Sequence, residues 1–162
     1  MKAIVFDVDG TLTDGKIYMG NNGELFKAFD IKDGCGIYDL MPKSNLVPVI
    51  ITARQSEIVF NRCKELGIEY CYQGCRNKVD KLHEFAKLQG IEADEFGVYQ
   101  DIAYMGDDII DLPIMKYCGI KGCPADAVEQ IKEVVDFVSS KNGGNGAARE
   151  FIEWVIEYQM NK

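Results

Sequence analysis

Histidine is nearly absent from this chain: His83 is the one such residue in 162. A zinc site would have to lean on cysteine, yet none of the six cysteines (Cys35, Cys63, Cys71, Cys75, Cys118, Cys123) forms a CxxC pair. The expected state is reduced thiols in a cytosolic protein, with Cys71 and Cys75 the pair to watch. Basic charge is also scarce, with 18 Lys and Arg against 26 Asp and Glu, a net charge of −8 and a pI of about 4.7. Nucleic-acid backbones and anionic membrane surfaces call for a basic face, so neither is an expected partner. No apolar run approaches the ~20 residues of a membrane span. The first residues enter a strand with no signal-peptide pattern, so the expected location is the cytoplasm. No GxxxxGKS/T occurs, which excludes a P-loop. Gly143-Gly144-Asn145-Gly146 lacks the full glycine spacing of a dinucleotide fingerprint.

Short apolar runs fill the chain instead: 3–6, 46–51, 68–72, 101–105, 119–122 and 135–138. Residues 55–66 place Ile58, Val59, Cys63 and Leu66 on one helical stripe. Residues 77–89 do so with Val79, Leu82, Phe85, Ala86 and Leu88. Helices are also expected at 108–117 and 147–160. Alternating strands and helices predict an α/β fold, a Rossmann-like doubly wound parallel sheet covered on both faces. One insert breaks the alternation: residues 15–30 read as a β-hairpin turning at Asn21-Asn22-Gly23. Residues 139–146 read as a flexible polar loop. The expected organisation is one domain over 1–162, with a hairpin flap at about 15–30, a C-terminal tail and helix at about 141–162, and no cap domain.

The stretch FDVDGTLTDG sets Asp7, Asp9 and Asp14 within eight positions, directly after an apolar strand. Like charges crowded there repel unless something offsets them. In open parallel sheets, ligands sit at the carboxyl ends of the strands. Asp7 and Asp9 follow the first run, Thr52 and Arg54 the second, and Asp107 and Asp108 the fourth. Lys78 opens the helix after the third. A cation held by Asp7, Asp9, Asp107 and Asp108 would relieve the repulsion. Hard oxygen ligands suit Mg²⁺, which shares substrate phosphate oxygens. Asp7, closest to the strand end, is the expected carboxylate nucleophile. Asp9 is the expected general acid and base. Thr52 and Lys78, with Lys81 a competitor one turn later, would bind the transferring phosphoryl oxygens. Gly10 lets the chain turn sharply.

DVDGTLTDG, the Thr of ITARQS, the Lys opening the third helix and GDDIIDLP together resemble the haloacid dehalogenase (HAD) superfamily of phosphotransferases, over nearly the whole chain. The resemblance implies the same roles for Asp7, Asp9, Thr52, Lys78, Asp107 and Asp108, with Gly10, Thr11 and Asp111 supporting. GELFKAFDIKDGCGI, YQGCRNK, YMGDDIIDLPIM and GGNGAARE are similar to the small capless branch acting on sugar-acid phosphates. That likeness implies 3-deoxy-D-manno-octulosonate (KDO) 8-phosphate as substrate, with nine-carbon acylneuraminate or deaminoneuraminate 9-phosphates as the alternative. It implies Arg54 and Ser56 as substrate-binding residues, Arg54 pairing with a sugar carboxylate. Lys32 and Asp33 would touch the sugar, and Arg149 would reach a neighbouring subunit's site. The branch forms cytosolic homotetramers in which neighbours close the site. Ala53, where that branch usually has Gly, is a departure. Two readings from other classes compete. A phospho-receiver domain needs an acid after the third strand, where Tyr72-Gln73-Gly74 stands. A non-catalytic regulatory subunit would not need the complete set of acids, Thr and Lys.

Overall fold

The computed structural model describes residues 1–161. Six parallel strands form one sheet, in the order β5-β4-β1-β6-β7-β8. These are β1 (Ala3–Phe6), β4 (Val47–Ile51), β5 (Tyr70–Tyr72), β6 (Tyr99–Met105), β7 (Cys118–Cys123) and β8 (Phe137–Val138). The first, central strand shows why its run is apolar without alternation. Ile4 and Phe6 pack into one buried cluster, Ala3 and Val5 into the cluster on the opposite face. A strand buried on both sides has no solvent face to mark with polar residues.

Helices α3 (Glu57–Glu65) and α7 (Ala147–Met160) cover one face, through Val59, Cys63, Phe151, Ile152 and Val155. Helices α4 (Lys78–Leu88), α5 (Leu112–Met115) and α6 (Glu129–Lys132) cover the other, through Leu82, Phe85, Ile114 and Ile131. Leu88, expected on the α4 stripe, is instead exposed, because it sits in the last turn beyond the contact with the sheet. The expected hairpin is present as β2 (Tyr18–Gly20) and β3 (Gly23–Phe26), with Gly23 at a φ of +118° closing its turn.

Two segments depart from the sequence reading. Residues 31–43 contain a helical run in three pieces: α1 (Ile31–Cys35), a π turn (Gly36–Leu40) and α2 (Met41–Lys43). Residues 139–146, expected to be flexible, pack on the loop after β1. Gly144 N–H donates to Thr11 O at 3.1 Å, and a Cβ on Gly143 would overlap the Gly10 carbonyl. Glycine is required there because two backbones touch.

Asp33, 3% exposed, bridges these two regions. Its Oδ1 accepts the Arg149 N–H at 2.9 Å. Arg149 lies in the first turn of α7, whose own cap is Gly146, a residue with no side chain. Asp33 therefore supplies an acceptor that the helix lacks. Burial pushes its carboxyl up to about 6. The folded state holds the proton more tightly than the unfolded chain, so this group's contribution is fully present below about pH 4 and lost as pH rises through about 6. Asp33→Asn keeps the acceptor and removes the charge. It is expected to stabilise the protein at pH 8 by about 1–3 kcal/mol, a gain that shrinks towards pH 4. Urea unfolding at both pH values checks this.

Candidate active site

The sheet register brings the reactive residues together. Phe6 lies beside Ile50 on one side and Met105 on the other. Asp7 follows Phe6 directly, and Thr52 and Asp107 each lie two residues past Ile50 and Met105, so all three reach one rim at the point where the strand order reverses. A single cleft is lined by Asp7, Asp9, Thr52, Arg54, Lys78, Asp107 and Asp108.

Lys78 anchors the floor, with its side chain 2% exposed. Nζ donates to Asp7 Oδ1 at 2.8 Å, to Asp111 Oδ1 at 2.6 Å and to Tyr104 OH at 3.1 Å. These contacts use all three ammonium protons. Burial works against the ammonium, but Asp7 and Asp111 outweigh it and its pKa is raised. Lys81, the competitor, points outward and pairs with Glu84 at 2.5 Å.

Asp111 is fully buried and holds the centre together. Oδ1 accepts from Lys78 and, at 2.5 Å, from Tyr104 OH. Oδ2 accepts the backbone N–H groups of Asp107 at 3.0 Å and Asp108 at 3.2 Å. One carboxylate thus fixes both the lysine and the loop that carries Asp107. Gly106 is needed beneath it, since a Cβ there would overlap the Asp111 carboxylate.

Carboxylate oxygens of Asp7, Asp107 and Asp111 lie within 4.8 Å of one another. Burial pushes the Asp7 carboxyl up to about 6, against the pull of Lys78. Burial, then Asp7 and Asp111, push Asp107 up to about 8. Thr11 Oγ1 donates to Asp107 Oδ1 at 3.2 Å and offsets part of this. The carboxylates exceed the positive charge that Lys78 supplies, so the donor set suits a hard divalent cation. Asp111 has both oxygens engaged, which leaves Asp7 and Asp107 to face such an ion. Gly10, at a φ of +93°, is needed where the loop passes the Asp107 carboxylate, which a Cβ would overlap.

Asp108, expected beside the cation or just behind its ligands, lines the cleft without joining the three clustered carboxylates. It is exposed, and its Oδ1 accepts Ile109 N–H at 2.7 Å, capping the 3₁₀ turn Ile109–Asp111. Asp9 has a partner that the sequence reading missed. Lys27, just past β3, reaches Asp9 Oδ1 at 2.5 Å and Glu24 Oε2 at 3.1 Å. Arg54 Nη1 meets the same Glu24 oxygen at 3.1 Å and stands 3.9 Å from Asp9. The hairpin therefore delivers one cation and one anion to the mouth of the cleft. Nothing in the local pattern marks Lys27, since its partner lies 18 residues away across the chain turn. Tyr104 was legible in principle: a tyrosine inside a buried strand needs a partner for its hydroxyl.

The remaining expected substrate residues lie elsewhere in this chain. Ser56 caps α3, its Oγ accepting Ile58 N–H at 3.1 Å. Asp33 is buried under α7. Lys32 and Arg149 line a separate groove with Lys141 and Asn145, and Arg149 pairs with Glu153 at 2.7 Å.

A parallel sheet that gathers paired acids, a buried lysine and a threonine at its switch point defines a site for transferring a phosphoryl group. No family model matches the chain. The KDO 8-phosphate phosphatase KdsC of Salmonella typhi is 39% identical over 156 residues, covering 96% of this chain and 79% of that one. The crystal structure of KDO 8-phosphate phosphatase from Moraxella catarrhalis, in complex with magnesium, phosphate and KDO, superposes with a TM-score of 0.88 at 37% identity, covering 99% of this chain and 88% of that one. The cobalt-bound phosphatase of Haemophilus influenzae gives 0.89 at 34% identity, covering 99% and 90%. The chain belongs to the KDO 8-phosphate phosphatase family of the HAD superfamily, and is a phosphomonoester hydrolase.

Proposed function

We propose that this protein is a Mg²⁺-dependent phosphatase that hydrolyses KDO 8-phosphate through an aspartyl-phosphate. The observation that supports it most is one cleft holding Asp7, Asp9, Thr52, Lys78, Asp107 and Arg54. The relatives' substrate and the magnesium bound to one of them agree with it.

Asp7 attacks phosphorus in line with the sugar oxygen, and Asp9 donates a proton to that oxygen as it leaves. Asp9 then takes a proton from the water that opens the aspartyl-phosphate. Lys78 is saturated by Asp7, Asp111 and Tyr104. It therefore acts on the phosphoryl group through its charge and by fixing the nucleophile. Thr52 offers its hydroxyl to a phosphoryl oxygen. Asp7 and Asp107 would hold Mg²⁺, with the Asp9 carbonyl as a further oxygen donor. When bound, the ion neutralises the carboxylates and the phosphate dianion.

Arg54, 41% exposed at its side chain, lines the cleft and would meet the sugar carboxylate there. Arg54→Ala is expected to raise KM for KDO 8-phosphate about 10- to 100-fold, the worth of a charged hydrogen-bonded contact. KM for p-nitrophenyl phosphate, which has no carboxylate, is expected to stay within about twofold. Parallel assays with acylneuraminate and deaminoneuraminate 9-phosphates test the eight-carbon preference. A nine-carbon preference would leave the hydrolysis in place and show that Arg54 does not select the eight-carbon acid.

Residues 1–162 act as one cytoplasmic catalytic unit within a homotetramer, in which neighbours exclude water from the cleft. The exposed apolar residues of the hairpin, Met19, Leu25 and Phe26, support such packing. Lys32 and Arg149, which face away from their own cleft, then serve an adjacent one. Sedimentation of the active enzyme checks the assembly.

A further inference from the structure

We propose that Cys63 and Cys71 form a thiol-oxidation site that reacts with a hydroperoxide to give a reversible disulfide. The two sulfurs stand 3.2 Å apart, one on the last turns of α3 and one on the edge strand β5. A disulfide requires about 2.05 Å, so the two sulfurs have a further approach of about 1 Å to make. Cys71 and Cys75 are neighbours in sequence, but the strand separates them. Cys71 packs with Cys63 on the α7 face of the sheet, and Cys75 packs on the other.

The two thiols differ in the way the chemistry needs. Cys63 is buried and donates its S–H towards Cys71, which favours the Cys71 thiolate and disfavours its own. Cys71 is half-buried and reachable. Cys118 and Cys123 are fully buried, and burial pushes both thiols up, so neither competes. In the first step, the Cys71 thiolate attacks the terminal oxygen of the hydroperoxide. The O–O bond breaks, the alcohol leaves with one proton, and Cys71 becomes a sulfenic acid. In the second, the Cys63 sulfur attacks Cys71, the S–O bond breaks, and the hydroxide leaves as water with the Cys63 proton. Two thiols are oxidised and one peroxide is reduced.

The bond would tie α3 to the strand behind Thr52, since Tyr72 O accepts the Thr52 N–H at 2.9 Å. The test treats the reduced full-length protein with hydrogen peroxide and maps cysteine peptides by mass spectrometry. The expected product is a Cys63–Cys71 disulfide that dithiothreitol reverses. Cys63→Ser is expected to leave a sulfenic acid on Cys71 that dimedone traps. Cys71→Ser, at a half-buried position that tolerates the change, is expected to leave Cys63 unmodified at the same peroxide dose. A Cys71–Cys75 bond, equal Cys63 oxidation in Cys71→Ser, or a wild type with both thiols intact would each overturn the proposal.

Discussion

Asp7→Asn is expected to lower phosphate release from KDO 8-phosphate to about one-thousandth of wild type or less, at saturating Mg²⁺. The amide cannot attack phosphorus, and Asp7 is the carboxylate that directly follows β1 and that the buried Lys78 holds by one oxygen. Stability is expected to move the other way. Asp7 is 6% exposed and crowded by Asp107 and Asp111, with its carboxyl pushed up to about 6. Removing its charge relieves that repulsion, and Lys78 keeps Asp111 as a partner. The variant should therefore melt at or above the wild-type temperature in metal-free buffer. A folded Asp7→Asn enzyme with a tenth of wild-type activity would place the nucleophile elsewhere.

Removing the divalent ion is the second large effect. Excess EDTA is expected to abolish turnover and to lower the melting temperature relative to Mg²⁺-saturated enzyme. A ligand at a hundred times its dissociation constant stabilises the folded state by about 2.7 kcal/mol. That corresponds to a shift of roughly 5–10 °C for a chain of this size. Asp107→Asn is expected to lose most of the Mg²⁺-induced shift, because it removes one of the two carboxylates free to face the ion. Asp108→Asn is expected to keep the shift, since its side chain caps the turn at Ile109 instead. Thermal melts of the three proteins, with Mg²⁺ and with EDTA, check both statements. Equal shifts in both variants would contradict the assignment of Asp107.

The sheet was legible because burial on two faces writes continuous apolar runs, and β1 appears at the residues expected. The long amphipathic helices α3, α4 and α7 were legible by period, to within two residues at their ends. The segment 31–43 was not, because Gly34, Gly36 and Pro42 break its pattern into three short pieces. Within the site, the positions of Asp7, Thr52, Lys78 and Asp107 followed from the strand ends. The sequence could not show that Asp111 bonds the lysine, the tyrosine and two backbone N–H groups at once. It could not show that Lys27 clamps Asp9, because that pairing depends on how the hairpin folds back. Asp33 shows the converse: an acid in a motif-like stretch whose place in the fold is under a helix end.

The most direct measurement of the central claim is inorganic phosphate release from KDO 8-phosphate by the wild-type protein, with Mg²⁺ and with EDTA. Rapid release is expected with Mg²⁺, none above background with EDTA, and recovery when Mg²⁺ is restored in excess. Release that persists in EDTA, or none in either buffer from a folded protein, would contradict it.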